Sequence, residues 1–233
     1  YREYQKGEGL MTTEKKYPKG LLGVKVGMTQ VFTSQGESVP VTVIQTGPCY
    51  VLQVIEKARE GYDAVKLGFV AKKPSRVNKP EAGLFSKVGC GSFQHVQEIR
   101  CEPKELGWDS VGAEIRVGDV FSDGDYVDVS GTSVGKGFQG VVRRFHTKGQ
   151  PATRGTHEYR RHIGSVGCRK FPGRIFKNKK MPGRMGGADV TLQNLQVVGV
   201  NPEENLLLVK GGVPGSKGGL VVIKKAIKRS AAV

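Results

Sequence analysis

Alternating apolar and polar residues first appear at Leu21 and recur in short stretches along most of the chain. β-Branched residues are frequent in these stretches, and turn clusters such as Gly47-Pro48 separate them, which is typical of strands joined by tight connections. A spacing of roughly ten residues between strands indicates an antiparallel barrel or sandwich. The pattern predicts strands over residues 21–26, 28–33, 39–46, 49–56, 62–70, 120–129, 190–200, 205–210 and 220–227.

Two parts of the chain depart from this pattern. Residues 81–117 are mixed, with a short helix expected over 81–88 and an extended piece over 93–101. Residues 131–187 have no apolar run long enough to bury itself, and because strands flank them we expect a long, hairpin-like loop. The predicted fold is mainly β: an antiparallel β-barrel with a small inserted subdomain and a long basic extension loop. The prediction assigns residues 1–19 to an N-terminal arm, 20–80 and 188–233 to the β-barrel, 81–117 to the inserted subdomain, 118–130 to a strand leading into the extension, and 131–187 to the extension.

Charge singles out the same residues 131–187, called the basic extension below. They hold fourteen Lys/Arg residues and one acidic residue, Glu158, whereas the rest of the chain holds 37 − 14 = 23 basic and 21 − 1 = 20 acidic residues. Thus +13 of the formal charge of +16 lies in this extension, together with twelve glycines. A segment this cationic repels itself and cannot form a core, so it requires a polyanion, and nucleic acid fits best.

The composition of the extension favours RNA over DNA. Arginine offers a planar fork for phosphate and a flat face for stacking, and aromatic residues such as Phe138, Phe145, Tyr159, Phe171 and Phe176 are interleaved with the charges. Together these suit irregular RNA, whereas readers of duplex DNA more often place their charges on one regular helix. The alternative is a solvated, disordered tail, but such tails are usually Lys-rich, glycine-poor and terminal. The predicted RNA-binding residues are Lys136, Arg143, Arg144, His146, Lys148, Gln150, Arg154, His157, Arg160, Arg161, Arg169, Lys170, Arg174, Lys177, Lys179, Lys180 and Arg184.

Two glycine motifs in the extension suggest enzymes. Residues 135–140 match G-x-G-x-x-G, with Glu158 eighteen residues beyond, but a Rossmann unit needs an apolar helix and then a buried strand carrying the acid. Gly149 and Pro151 interrupt the helix candidate over 141–147. Residues 131–135 match G-x-S-x-G, yet the glycines that follow disfavour the required helix. We therefore expect neither an enzyme nor a small-molecule substrate or cofactor; Glu158 is interpreted as an internal partner that orients Arg160 and Arg161.

The remaining composition excludes other classes. His146, His157, His162 and Cys168 match no common zinc-ligand spacing, so no metal is expected. Four scattered cysteines without a C-x-x-C pair indicate reduced thiols of an intracellular protein. No apolar stretch approaches the ~20 residues that span a bilayer, so no membrane partner is expected.

Several stretches of the sequence are similar to a known family. Residues 20–32 read GLLGVKVGMTQVF and residues 172–186 read PGRIFKNKKMPGRMG, and together with 135–141, 150–155 and 205–215 they resemble the large-ribosomal-subunit protein three family in its bacterial and organellar form. The resemblance implies a barrel related to that of translation factors, seated on the outside of the large subunit. It also implies that the extension threads through the rRNA toward the peptidyl transferase centre, and that the protein helps early assembly beside neighbouring large-subunit proteins.

The resemblance also raises questions about modification and compartment. In some bacteria one glutamine near the tip of the family's extension is methylated, and the matching position is Gln150; Pro151 follows it, where relatives often have Asp. The tip itself is expected near residues 148–156. The additional arm over 1–19 and the absence of an initiating Met suggest an organellar protein after removal of a transit peptide. We therefore expect the chloroplast stroma, with bacterial cytoplasm or a mitochondrion as alternatives.

Overall fold

The computed structural model describes residues 19–101 and 110–229. Strands dominate this part of the chain, and the helices in it are short. The α-helices are α1 Lys57–Glu60, α2 Lys79–Val88 and α3 Val141–Phe145, and 3-10 turns cover Pro74–Arg76, Val117–Asp119 and Arg154–Arg161. The strands are β1 Gly20–Phe32, β2 Ser38–Gln45, β3 Cys49–Ile55, β4 Ala64–Ala71, β5 Phe93–Ile99, β6 Glu114–Ile115, β7 Tyr126–Thr132, β8 Gly137–Gln139, β9 Gly183–Met185, β10 Asp189–Asn201, β11 Leu206–Lys210 and β12 Leu220–Lys225.

Six strands close into a barrel in the order β1-β12-β7-β10-β11-β2, and its strand pairs are antiparallel. The predicted mainly β fold with an antiparallel barrel is therefore confirmed. Alternation along the strands fills its interior: in β12 Val221 and Ile223 are buried while Val222 between them is half-buried. Leu21 of β1 lies opposite Ile223 in the register, and both are completely buried. Burying each such side chain contributes about 1.5–3 kcal/mol.

A second sheet of four strands, ordered β5-β4-β3-β6, packs against the barrel. Its residues Val51 and Leu67 share one buried cluster with the barrel residues Leu21 and Leu207. On the other side of this sheet, Phe85 of α2 packs edge-on against Phe93 of β5, with ring centroids 5.8 Å apart. The helix therefore covers the face of the sheet turned away from the barrel.

The sheet order differs from the expected division of the chain. Residues 20–80 were assigned to the barrel, yet β3 and β4 pair with β5 and β6 instead. The chain leaves the barrel after Thr46, whose N–H donates to the Asn205 carbonyl at 2.8 Å. Gly47 then adopts a φ of +135°, a conformation that L side chains rarely adopt. Strands of either sheet carry the same β-branched pattern, so the pattern does not reveal which strands pair.

Two strand boundaries also differ from the expectation. The two pieces predicted over 21–26 and 28–33 form the single strand β1, with a β-bulge between Lys25 and Gly27 that locally interrupts the register. The strand predicted over 120–129 begins only at Tyr126, because a turn precedes it. In that turn Gly124 has a φ of +83°, and the Ser122 N–H donates to Asp125 Oδ2 at 3.1 Å.

The four cysteines are not joined by disulfides in the structure. Cys49 and Cys101 are buried, and burial raises the pKa of Cys49 to about 12 and that of Cys101 to about 11. Cys168 of the extension is exposed. The expected N-terminal arm, except for Lys19, lies outside the described residues. No helix within 19–101 and 110–229 has the length and apolar character needed to cross a membrane.

Candidate RNA interface

The basic extension leaves the barrel as a continuation of two paired strands. Thr132 of β7 and Asp189 of β10 are register partners, and the Thr132 hydroxyl donates to Asp189 Oδ1 at 3.0 Å. One step farther out, the Ser133 N–H donates to the Ala188 carbonyl at 2.9 Å, and the Gly187 N–H donates to the Ser133 carbonyl at 3.0 Å. The antiparallel ladder of the barrel therefore fixes the direction in which the extension departs.

Beyond this ladder, the two chains of the extension approach closely at Gly186. The residue has a φ of +72°, and a Cβ there would collide with the Val134 carbonyl oxygen. This approach brings β8 and β9 into register, and the Lys136 N–H donates to the Met185 carbonyl at 2.8 Å. Only glycine combines this backbone conformation with this contact.

A small internal cluster holds the middle of the extension together. The Arg144 guanidinium donates from Nη1 to the Met181 carbonyl at 2.9 Å and lies 4.9 Å from the centroid of the Phe145 ring. The Lys180 ammonium lies 5.7 Å from the same centroid, so two cations flank one aromatic ring. Val141, at the start of α3, is the buried hydrophobic residue of the extension. This cluster ties α3 to residues 180–181 on the returning chain.

The expected tip is also tied to the returning chain. The Gln150 N–H donates to the Arg160 carbonyl at 3.0 Å, and the neighbouring Gly149 has a φ of +72° with no room for a Cβ beside that carbonyl. The Thr156 hydroxyl donates to the Pro151 carbonyl at 2.7 Å and closes the turn between them. The extension, expected as a hairpin-like loop that cannot form a core, therefore has backbone structure of its own.

The charged side chains face solvent rather than each other. Sixteen of the seventeen predicted RNA-binding residues are exposed, and the exception, Arg144, is half-buried in the cluster with Phe145. None of the four ion pairs found within residues 19–101 and 110–229 involves the extension. The expected pairing of Glu158 with Arg160 or Arg161 is not among them. The cations of the extension therefore stay uncompensated within the described chain, and a polyanion can reach them.

The aromatic residues of the extension divide into two groups. Phe145 lies inside the cation cluster, whereas Phe171, Phe138, Phe176 and Tyr159 expose 87%, 73%, 64% and 63% of their surfaces. An exposed aromatic face between cations suits stacking on an unpaired nucleobase. The extension thus presents both exposed positive charges and exposed aromatic faces.

Comparison with known proteins identifies the family. A model of the family described as Ribosomal protein L3 matches residues 101–205. The chain is 49% identical over 210 residues to large ribosomal subunit protein uL3 of Syntrophotalea carbinolica, covering 90% of this chain and 99% of the relative. It is 45% identical to uL3 of Geobacter sulfurreducens over 90% of this chain and 98% of that protein, and 49% identical to uL3 of Acidothermus cellulolyticus over 93% and 96%. The chain belongs to the ribosomal protein L3 family. The three L3 relatives are bacterial proteins.

The structure of this L3-family chain places the two glycine motifs in other roles. Residues 135–136 lead into β8, residues 137–139 form that strand, and Gly140 is the residue before α3. Helix α3 is five residues long. That arrangement lacks the long helix of a dinucleotide fold. Residues 131–135 are the end of β7 and the start of the extension. Within the described ranges, no group of three or more His, Cys, Asp or Glu residues is arranged to hold a metal.

Sequence reasoning missed the internal role of Arg144, which it grouped with the other RNA-binding residues of this L3-family chain. The sequence carries a partial signal of this internal role, because Phe145 directly follows Arg144 and Met181 directly follows two lysines. However, the bond from Arg144 to the Met181 carbonyl joins residues 37 positions apart, and no periodicity in the sequence marks such a contact. Arg144 therefore combines an internal structural contact with a position in the predicted interface.

Proposed function

We propose that this chain is a structural constituent of the large ribosomal subunit and that its basic extension binds rRNA of the 23S type. The observation that carries the proposal is the set of sixteen exposed predicted contact residues, whose cations form no ion pair in the described part of the chain, on a hairpin that continues two strands of the barrel. The bacterial relatives are named large ribosomal subunit protein uL3, which supports the same assignment.

The family resemblance extends this proposal. The extension reaches toward the peptidyl transferase centre, the protein acts early in subunit assembly, and the barrel contacts neighbouring large-subunit proteins. The role is one of positioning RNA and not of catalysis, because Glu158 is the single carboxylate of the extension and acid–base catalysis would need a matched partner. Methylation of Gln150, whose side chain is exposed, and residence in the chloroplast stroma are also proposed; bacterial cytoplasm or a mitochondrion is the alternative location.

The salt dependence of RNA binding tests the proposal. Each phosphate neutralised contributes roughly 0.7–0.9 to the slope of log K against log salt. If about half of the fourteen cations meet phosphate, the slope for a large-subunit rRNA fragment is about −5 to −6. A slope near zero would contradict the proposal.

A matched pair of double variants locates the binding surface. R160Q/R161Q removes two exposed charges from the extension, whereas K57Q/R59Q removes two exposed charges from α1 beside the four-stranded sheet. We expect the first variant to make the slope shallower by about 1.5 and the second to leave it unchanged. Equal effects of both variants would show that total charge governs binding and not the extension.

A further inference from the structure

A cavity of about 470 Å³ lies within the extension, between α3, the tip and the returning chain. Its volume falls in the range of roughly 300–1,000 Å³ that is typical of pockets for small molecules. Its lining includes the apolar residues Val141 and Ile163, the polar residues Thr147 and Gln150, and the lysines Lys148 and Lys179. The lining residues come from three separate stretches of the chain, so the cavity depends on how those stretches are joined.

Contacts on two sides of the cavity join these stretches. The Gln150 N–H bonds to the Arg160 carbonyl at 3.0 Å and joins the tip to the stretch leading to Ile163. The Arg144 guanidinium bonds to the Met181 carbonyl at 2.9 Å and joins α3 to the stretch that carries Lys179. Both bonds lie within the chain, so the protein itself supplies part of the ordering that binding requires.

The lining combines two kinds of chemistry. Val141 and Ile163 offer apolar surface, whereas Lys148 and Lys179 bring positive charge and form no ion pair with any described carboxylate. Gln150 adds an exposed amide, whose oxygen accepts and whose nitrogen donates hydrogen bonds.

We propose that this cavity receives one unstacked nucleotide of the bound RNA. A nucleotide joins a flat base with polar edges to a negatively charged phosphate, and these parts match the apolar walls, the Gln150 amide and the lysines. Irregular RNA exposes such bases because its loops and bulges leave them unpaired. The inference rests on the proposed function, since it names one nucleotide site within the RNA-binding extension.

Titration of the RNA-free, full-length chain tests the cavity. The probes are the four nucleoside 5′-monophosphates and, separately, inorganic phosphate, followed through the amide NMR signals of Gly149 and Gln150. We expect at least one nucleotide to bind tenfold more tightly than phosphate. Absence of nucleotide binding, or equal affinity for phosphate and all nucleotides, would overturn the proposal.

Variants connect that binding to the cavity. I163W fills the space from a partly exposed position, and Q150L removes the Gln150 amide at similar volume; each is expected to weaken nucleotide binding at least tenfold. Q150L should leave the unfolding midpoint of the free chain unchanged, because the Gln150 side chain is exposed. The matched lysine pair is K179Q, in the lining, and K57Q, an exposed lysine of α1 outside the extension. Unchanged nucleotide affinity in Q150L and I163W, or equal losses in K179Q and K57Q, would overturn the proposal.

The same variants separate this inference from the proposed function. With the rRNA fragment, I163W should weaken binding at every salt concentration without changing the slope, because it removes no charge. If the unaltered chain binds the fragment with a steep slope and I163W binds equally well, the cavity inference fails while the proposed function stands. If the unaltered chain does not bind the fragment, the proposed function fails.

Discussion

Replacing Gly186 by alanine should open the base of the extension while leaving the barrel folded. A Cβ at this position would collide with the Val134 carbonyl oxygen, and its φ of +72° is unfavourable for any L residue. The left-handed conformation costs roughly 1–2 kcal/mol. Relieving the collision also breaks two backbone hydrogen bonds: Gly187 to Ser133 at 3.0 Å and Lys136 to Met185 at 2.8 Å. Each bond contributes ~0.5–1.5 kcal/mol net, so losing both adds about 1–3 kcal/mol. The total is therefore about 2–5 kcal/mol.

Gly187 provides a matched control for this prediction. It has a φ of +64°, but a Cβ there would have no atom within 4 Å, so G187A introduces the conformational strain of about 1–2 kcal/mol without the collision. Amide hydrogen exchange at Lys136 reports the opening directly. We expect G187A to accelerate that exchange about 5- to 30-fold and G186A about 30-fold or more, since 1.4 kcal/mol corresponds to a factor of ten. Equal acceleration in the two variants, or faster exchange at barrel amides in G186A, would refute the reasoning.

Four further predictions concern the core, the thiols and stacking. L207A removes a completely buried barrel side chain and should lower the free energy of unfolding by about 2–5 kcal/mol in urea denaturation; a loss under 1 kcal/mol would contradict the assigned core. At pH 8 iodoacetamide should modify the exposed Cys168 rapidly and the buried Cys49 and Cys101 only after unfolding. Because burial raises the pKa of Cys49 from 9.0 to about 12, its contribution to stability is complete below pH 9 and is lost as pH rises from 9 to 12, which pH-dependent urea denaturation measures. F171A should weaken rRNA binding about 5- to 150-fold without changing the salt slope, whereas F171Y should bind normally; a changed slope in F171A would argue against stacking.

Much of the barrel follows from local patterns in the sequence. Strands were expected over 205–210 and 220–227, where the structure has β11 and β12, and alternate residues of these strands, Leu207, Val209, Val221 and Ile223, are buried. The pairing of β3 with β4 outside the barrel could not be predicted in this way. Both strands have the composition of barrel strands, and what separates them is long-range hydrogen bonding and the turn at Gly47, which apolar periodicity does not encode.

The structure of the extension, like that of the barrel, could be predicted from the sequence only in part. Its charge and glycine content predicted a loop departing from two strands, and the ladder at Ser133 and Ala188 has that geometry. Its internal structure depends instead on side chains that bond to distant backbone carbonyls, as Arg144 does to Met181. Such contacts have no sequence period, so the cavity lined by Thr147 emerged only from the folded arrangement.

Photo-crosslinking of purified large ribosomal subunits that contain this chain tests the central proposal most directly. After a high-salt wash, the chain should sediment with the large subunit, and the RNA-linked peptides identified by mass spectrometry should come mainly from residues 131–187. Recovery of the chain in the supernatant would contradict its role as a subunit constituent. Recovery in the subunit, with RNA-linked peptides only from the barrel strands, would contradict the assignment of rRNA binding to the basic extension.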